Sequence, residues 1–325
     1  LLVRVRAILD GRSNRRAATR RFTLATACGA GLLALLVGAS TPAGDEGRHL
    51  VAALDANAPA MRRAAAWRLG ELRRRSGAAA LERRLGDPDP GVRSVAAWSL
   101  GRLRARDAVP ALIALAGDPD PHVREMTALA LGTIGDARAT AALAALAADR
   151  DWSVRAVTTR ALRLLGTDEA AAILAHRTAV EPDEHARSMA VWELQEINTA
   201  ATRDGLLRAL AHPSPVTRHD ALATLKRLGD PATQDAIAHV LARDSVANVR
   251  AHAAAVLCEL GDEAVVPALV VALRDANWHV RAAAICGLGR LGGPAAAAAL
   301  LDALSDDVHQ VRLSAVEALN RVGEP

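Results

Sequence analysis

The chain has 325 residues, more than one hydrophobic core usually holds, and with one Phe, no Tyr and a single Lys (Lys226) it excludes an aromatic-rich globule and favours a helical array built on Ala and Leu. The net charge of +4 belongs to the leader: residues 1–44 hold seven Arg against Asp10, while residues 45–325 hold 33 basic and 35 acidic groups. The body of the chain is therefore no polycation, which argues against a nucleic-acid binder, and three Cys (Cys28, Cys258, Cys286) make neither a disulfide framework nor a zinc spacing.

Residues 1–21 form a basic segment, predicted to lie in the cytoplasm beside the membrane. Residues 22–44 carry no charge, and their centre reads LATACGAGLLALLVGAS. A helix over residues 22–40 is about 28 Å long, enough to cross a bilayer core. Arg residues precede it and Asp45 and Glu46 follow, so the positive-inside rule places the following residues outside the cytoplasm. The expectation is a single-pass membrane protein with an extracytoplasmic (periplasmic) body. The alternative is a signal peptide cut after Ser40 or Ala43, leaving a secreted or periplasmic chain.

From residue 45 a period governs the sequence. Arg stands at 62, 93, 124, 155, 187, 218, 250, 281 and 312, in steps of 31 or 32. Val precedes six of these Arg, Leu follows each by seven residues, and an aliphatic residue follows each by ten. Offsets −1, +3, +7 and +10 lie on one face of an α-helix. Gly at +11 in six repeats (135, 166, 229, 261, 292, 323) supplies a left-handed helix end. Asp-rich groups such as Asp87-Pro88-Asp89 and Asp118-Pro119-Asp120 precede the helices as caps. A second, Ala/Leu-rich helix follows each Gly, for example residues 108–118 and 264–275. Residues 47–56 read as an N-terminal half-repeat. A single hairpin cannot bury its apolar face, so stacking is required.

This pattern resembles the short HEAT repeats of the phycobilisome lyases. The fold expected is all-α: an α-solenoid of about nine HEAT-type repeats over residues 45–325, preceded by one transmembrane-like helix. The leader LLVRVRAILDGRSNRR and its apolar run resemble the last membrane segment of BlaR/MecR-type membrane metallopeptidases. That resemblance implies a zinc peptidase upstream and a sensor domain downstream. The H-E-x-x-H pair such a peptidase needs is absent, since no His-Glu dipeptide occurs.

The recurrent Arg (Arg62, Arg93, Arg124, Arg155, Arg187, Arg218, Arg250, Arg281, Arg312) lies at the edge of the buried stripe and is expected to pair with Asp of its own or the adjacent repeat, as a structural ladder. Trp67, Trp98 and Trp192 at +5, and Trp152 and Trp278 at −3, are expected to pack at helix ends. Cys258 and Cys286 fill small-residue slots of neighbouring repeats, with a disulfide between them as the alternative. Repeat five lacks Gly and gathers Glu181, Asp183, Glu184, His185, Glu193 and Glu196; it is either an acidic face or an eroded repeat with a solvated one. Arg62, Arg63, Arg68, Arg73, Arg74, Arg75, Arg83 and Arg84 form a membrane-proximal group able to meet anionic headgroups.

The function expected is a non-catalytic scaffold or extracytoplasmic sensor that binds a protein or peptide on the concave face lined by second helices. The residues proposed for contact are Arg83, Arg84, His176, Arg177, Arg208, His239 and Arg243, with Glu184, Glu193 and Glu196 in repeat five. No cofactor, metal or nucleic acid is expected. The alternative, implied by the repeat's name family, is a bilin-lyase-like enzyme or chaperone.

Overall fold

The computed structural model describes residues 46–197 and 199–323. The readings of residues 1–44 and of Cys28 lie outside the described residues. These contain 18 α-helices and no strand. None of the helices is long and apolar enough to cross a membrane. The chain divides into two compact units, Leu1–Leu146 and Ala147–Pro325.

In the first unit, helix α1 (Glu46–Ala53) precedes three hairpins: α2 (Pro59–Glu71) with α3 (Ala78–Arg83), α4 (Pro90–Leu103) with α5 (Val109–Leu115), and α6 (Pro121–Ile134) with α7 (Thr140–Leu146). First helices pack on first helices, α2 on α4 and α4 on α6. Val92, Val123, Leu69, Leu100 and Leu131 are fully buried, and each such side chain contributes roughly 1.5–3 kcal/mol. Gly101 allows the close approach, because a Cβ there would meet the Cα of Ala130 at 2.8 Å. Each first helix opens on Pro, whose missing N–H costs nothing at that position.

The second unit repeats the plan. Its first helices are α8 (Trp152–Leu165), α10 (Glu184–Glu193), α12 (Pro215–Leu228), α14 (Ala247–Leu260), α16 (Trp278–Leu291) and α18 (His309–Gly323). The second helices are α9 (Asp168–Val180), α11 (Ala200–Leu210), α13 (Gln234–Arg243), α15 (Val266–Ala272) and α17 (Pro294–Asp302). Val154, Leu162, Leu194, Leu225, Leu257, Val280 and Leu288 are at 0% exposure. Leu319 on α18 is half-buried. The nine first helices match the nine Arg positions.

One expectation about helix ends needs correction. Gly135, Gly166, Gly229 and Gly292 take positive φ at +11, but Gly261 has φ −77 and is extended. In its place Asp262 caps the following turn by accepting from the Ala264 N–H. In the first two repeats the left-handed position is filled by Arg73 (φ 49) and Arg104 (φ 51), which lack the freedom of Gly.

Candidate binding surfaces

The recurrent Arg is a three-way staple. Arg62 Nη1 donates to the carbonyls of Ala56 and Asn57, both at 2.9 Å, at the mouth of its own helix. Its Nε and Nη2 donate in parallel to Asp87 at 2.7 Å, in the next repeat. Arg93 repeats this on Asp118, Arg218 on Asp244, Arg250 on Asp275 and Arg281 on Asp306. Arg155 uses Glu181 instead. Arg124 and Arg312 hold the carbonyls of Asp118 and Asp306 respectively.

The Asp-x-Asp groups thus divide their labour, where the sequence suggested capping alone. Asp87 takes the Arg fork, and Asp89 caps α4 by accepting from the Val92 N–H at 2.9 Å. Asp118 and Asp120 divide the same way. Burial is the largest influence on Asp87 and raises its pKa, but the Arg62 fork, the Asp89 N–H and the charges of Arg62 and Arg84 together bring the carboxyl below its ordinary pKa. Asp275 is lowered chiefly by the Arg250 fork.

One position breaks the series. Arg187 finds no carboxylate among the described residues; its Nε donates to Thr217 Oγ1 at 2.7 Å, and Nη1 to the Glu181 carbonyl. The slot that holds Asp elsewhere holds His212, whose Nδ1 accepts from the Ser214 N–H at 3.0 Å just as Asp244 accepts from Val246. Burial, then Arg187 and Arg218, push the His212 pKa down.

The residues expected to meet a partner fall into two groups. Arg84 is held by Asp55 at 2.6 Å and lies near Asp87. Arg177 pairs with Glu181, and Glu193 with Arg163. Glu196 lies 3.7 Å from Arg227. These four are structural pairs, and the acidic face expected of repeat five is taken apart: Glu181 is buried, Asp183 caps α10, and Glu184 stays exposed. The other group stays on the surface. Arg83, His176, Arg208, His239 and Arg243 are exposed on α3, α9, α11 and α13.

In the second unit this gives a row. His176, Arg208, His239, Val271 and Leu301 follow at steps of 30–32 residues, one on each second helix, and all are exposed. Val271 is 66% and Leu301 58% exposed, unusual for aliphatic side chains in so well-packed an array. The sequence reading missed Val271 and Leu301 because their apolar character placed them with the core.

The membrane-proximal Arg group also divides. Arg62 is a staple, and Arg68 and Arg84 are paired with Glu46 and Asp55. Arg73, Arg74 and Arg75 are exposed in the turn after α2. They stand beside Arg104 and Arg106 in the equivalent turn after α4, where a groove of about 620 Å³ is lined by Arg75, Glu82, Leu103, Arg104, Arg106 and Asp107, among others.

Trp98 is half-buried against Gly70, under the Arg102 guanidinium at 5.5 Å, a packing role. Cys258 is buried and Cys286 exposed, and both are free thiols. Burial, then Cys286, raises the Cys258 pKa. The His219 and His252 rings lie 4.1 Å apart. Burial, then His219, pushes His252 down to about 4. Among the described residues no three His, Cys, Asp or Glu are grouped to hold a metal ion.

The sequence matches HEAT repeats over residues 47–118, 83–163, 110–184, 170–255 and 235–320. The chain belongs to the HEAT-repeat family. No curated protein matches it. Of solved structures, Kap121p is similar with a TM-score of 0.60 at 10% identity, over 88% of this chain and 38% of that one. The HEAT-repeat chain thus spans well under half the length of Kap121p. An engineered protein is similar at 18% identity and TM-score 0.47, over 92% and 95% of the two chains. The complex of CpcE and CpcF of phycocyanin lyase from Nostoc sp. PCC7120 is similar at 21% identity and TM-score 0.37, over 85% and 94%. The Kap121p likeness shows the fold.

Proposed function

We propose that this HEAT-repeat protein is a non-catalytic scaffold that binds a protein partner across its second helices. The observation that carries this reading is the row His176, Arg208, His239, Val271 and Leu301, exposed at one place on five successive second helices. Its polar half contributes hydrogen bonds and charge, and its apolar half contributes burial on association. HEAT solenoids use such extended surfaces for binding.

The placement of the body outside the cytoplasm, anchored or released at residues 22–44, belongs to the same proposal and is supported by the charge asymmetry of residues 1–46. A sensor domain following a membrane peptidase is the context the leader suggests.

Affinity capture from an envelope extract with the full chain tests the reading. Replacing Arg208 and Arg243 by Glu and Val271 by Asp together is expected to release the captured protein. Retention at undiminished affinity by that triple variant rules out the second-helix surface.

A further inference from the structure

Cys258 and Cys286 stand on the neighbouring first helices α14 and α16, which pack on each other. Cys258 follows Arg250 by eight residues, and Cys286 follows Arg281 by five. Elsewhere in the array these two offsets face each other. A Cβ at Gly70, at +8 in the first repeat, would meet Trp98 Cζ3 at 2.9 Å and Ser99 Oγ at 2.6 Å, the side chains at +5 and +6 of the second repeat. Arg163 at +8 of the fourth repeat pairs with Glu193 at +6 of the fifth.

Between repeats seven and eight the same positions hold Cys258 at +8, with Cys286 at +5 and Gly287 at +6. A Cβ on Gly287 would lie 3.4 Å from the Cβ of Cys258, so Cys258 packs against the residue next to Cys286. A disulfide joins Cβ atoms roughly 3.5–4.5 Å apart. Gly287, with no side chain of its own, lets α16 approach Cys258 to that order of distance. The thiols also sense each other: burial is the first cause of the raised Cys258 pKa, Cys286 raises it further, and Arg290, four residues after Cys286, pulls it back.

The two differ in access. Cys286 is exposed and Cys258 is 7% exposed. An oxidant from solvent meets Cys286 first. A neighbouring buried thiol needs no solvent access to attack the product. This asymmetry, an outer sulfur that reacts and an inner one that resolves, is the arrangement a reversible thiol pair requires.

We propose that Cys258 and Cys286 are a thiol pair that closes to a disulfide between repeats seven and eight when the chain meets a small-molecule disulfide. The Cys286 thiolate attacks one sulfur of that molecule, and the other half leaves as a thiol carrying the proton Cys286 gave up. Cys258 then loses its proton and attacks Cys286 Sγ. The mixed disulfide breaks, and the second half leaves as a thiol with that proton. Two cysteines are oxidised and one small-molecule disulfide is reduced to two thiols. The bridge encloses residues 259–285 and with them α15, the second helix that bears the exposed Val271. It adds a covalent tie to the Arg250–Asp275 staple that already joins these repeats. The chemistry of the pair does not depend on what binds the second helices.

The test uses the full chain carrying Cys28→Ser, so that only this pair of thiols remains. The folded chain is incubated at pH 8 with oxidised glutathione, blocked with N-ethylmaleimide and digested for mass spectrometry. A species joining the Cys258 and Cys286 peptides, lighter by two hydrogens than the two thiol peptides, is expected in most monomeric chains and is reversed by dithiothreitol. Cys258→Ser is expected to stop at the mixed disulfide, with one glutathionyl group on Cys286. Cys286→Ser is expected to stay unmodified, because Cys258 is shielded. Glutathionylated Cys286 that accumulates in the chain retaining both thiols, with no linkage to Cys258, overturns the proposal. So does a linkage that forms only in urea, or only between two chains.

Discussion

Arg218 and Asp244, 26 residues apart, meet through two parallel hydrogen bonds of 2.6 and 2.8 Å, with the carboxylate almost wholly buried. The same Arg holds the His212 and Pro213 carbonyls at the mouth of its own helix. One side chain thus fixes the entry of α12 and the loop that enters α14. Removing one partner strands the other charge, so Asp244→Ala is expected to destabilise the chain by about 3 kcal/mol in urea denaturation. The double variant Arg218→Met/Asp244→Ala is expected to lose less than the single one. Asp244 has a folded pKa below its unfolded value. Its contribution is therefore present above the unfolded value and lost as pH falls through the folded one. An Asp244→Ala variant as stable as the parent at pH 7 would refute the staple.

His212 interrupts the series of carboxylates and leaves Arg187 buried with a hydroxyl and a carbonyl for partners. His212→Asp is expected to restore the fork, and charge-assisted hydrogen bonds of this kind contribute roughly 1.5–3 kcal/mol. Because the His212 pKa is lowered in the fold, its stabilising neutral form is lost from the balance as pH falls below the unfolded value. The Asp variant is expected to melt higher than the parent at pH 7, and by a wider margin at pH 5.5. Equal melting temperatures at both pH values would show that the slot tolerates His without loss.

His252 provides a second acid-sensitive point. Its folded pKa of about 4 lies below the ordinary 6.5, through burial first and the neighbouring His219 second. The unfolded chain binds the proton more readily, so stability is lost as pH falls from 6.5 towards 4. His252→Gln is expected to flatten the thermal stability profile in that window. A nuclear magnetic resonance titration that finds His252 protonating near 6.5 contradicts this account.

Cys258 and Cys286 occupy neighbouring first helices, one buried and one exposed. Burial keeps the Cys258 thiol protonated and out of reach, since the thiolate is the reactive species. In the native chain a maleimide is expected to label Cys286 promptly and Cys258 only after denaturation. Mass spectrometry of peptides from Cys286→Ser checks the assignment; prompt native labelling of that variant at Cys258 would show an open core.

Much of this was legible in the sequence because helix geometry is local. A Leu seven residues after each Arg falls on the same face as the Val before it, whatever surrounds the helix, and those positions are buried from Leu69 to Leu288. Offset +11 likewise marked helix ends, and its departures at Arg73 and Arg104 were visible as Arg where Gly recurs.

Pairing was not legible to the same degree. Asp87 and Asp89 are the same residue type two positions apart, yet one binds Arg62 and the other caps a helix. Arg84, Arg177, Glu193 and Glu196 look like free surface charges but are ion-paired, while Arg208 and His239, in equivalent helices, are exposed. The sequence by itself determined the repeat, its helices and the face each one buries, because these depend on the helical period. Only the tertiary structure decided which charges meet, because partners such as Arg62 and Asp87, or Arg163 and Glu193, lie 25 and 30 residues apart and are brought together by the offset at which one hairpin stacks on the next.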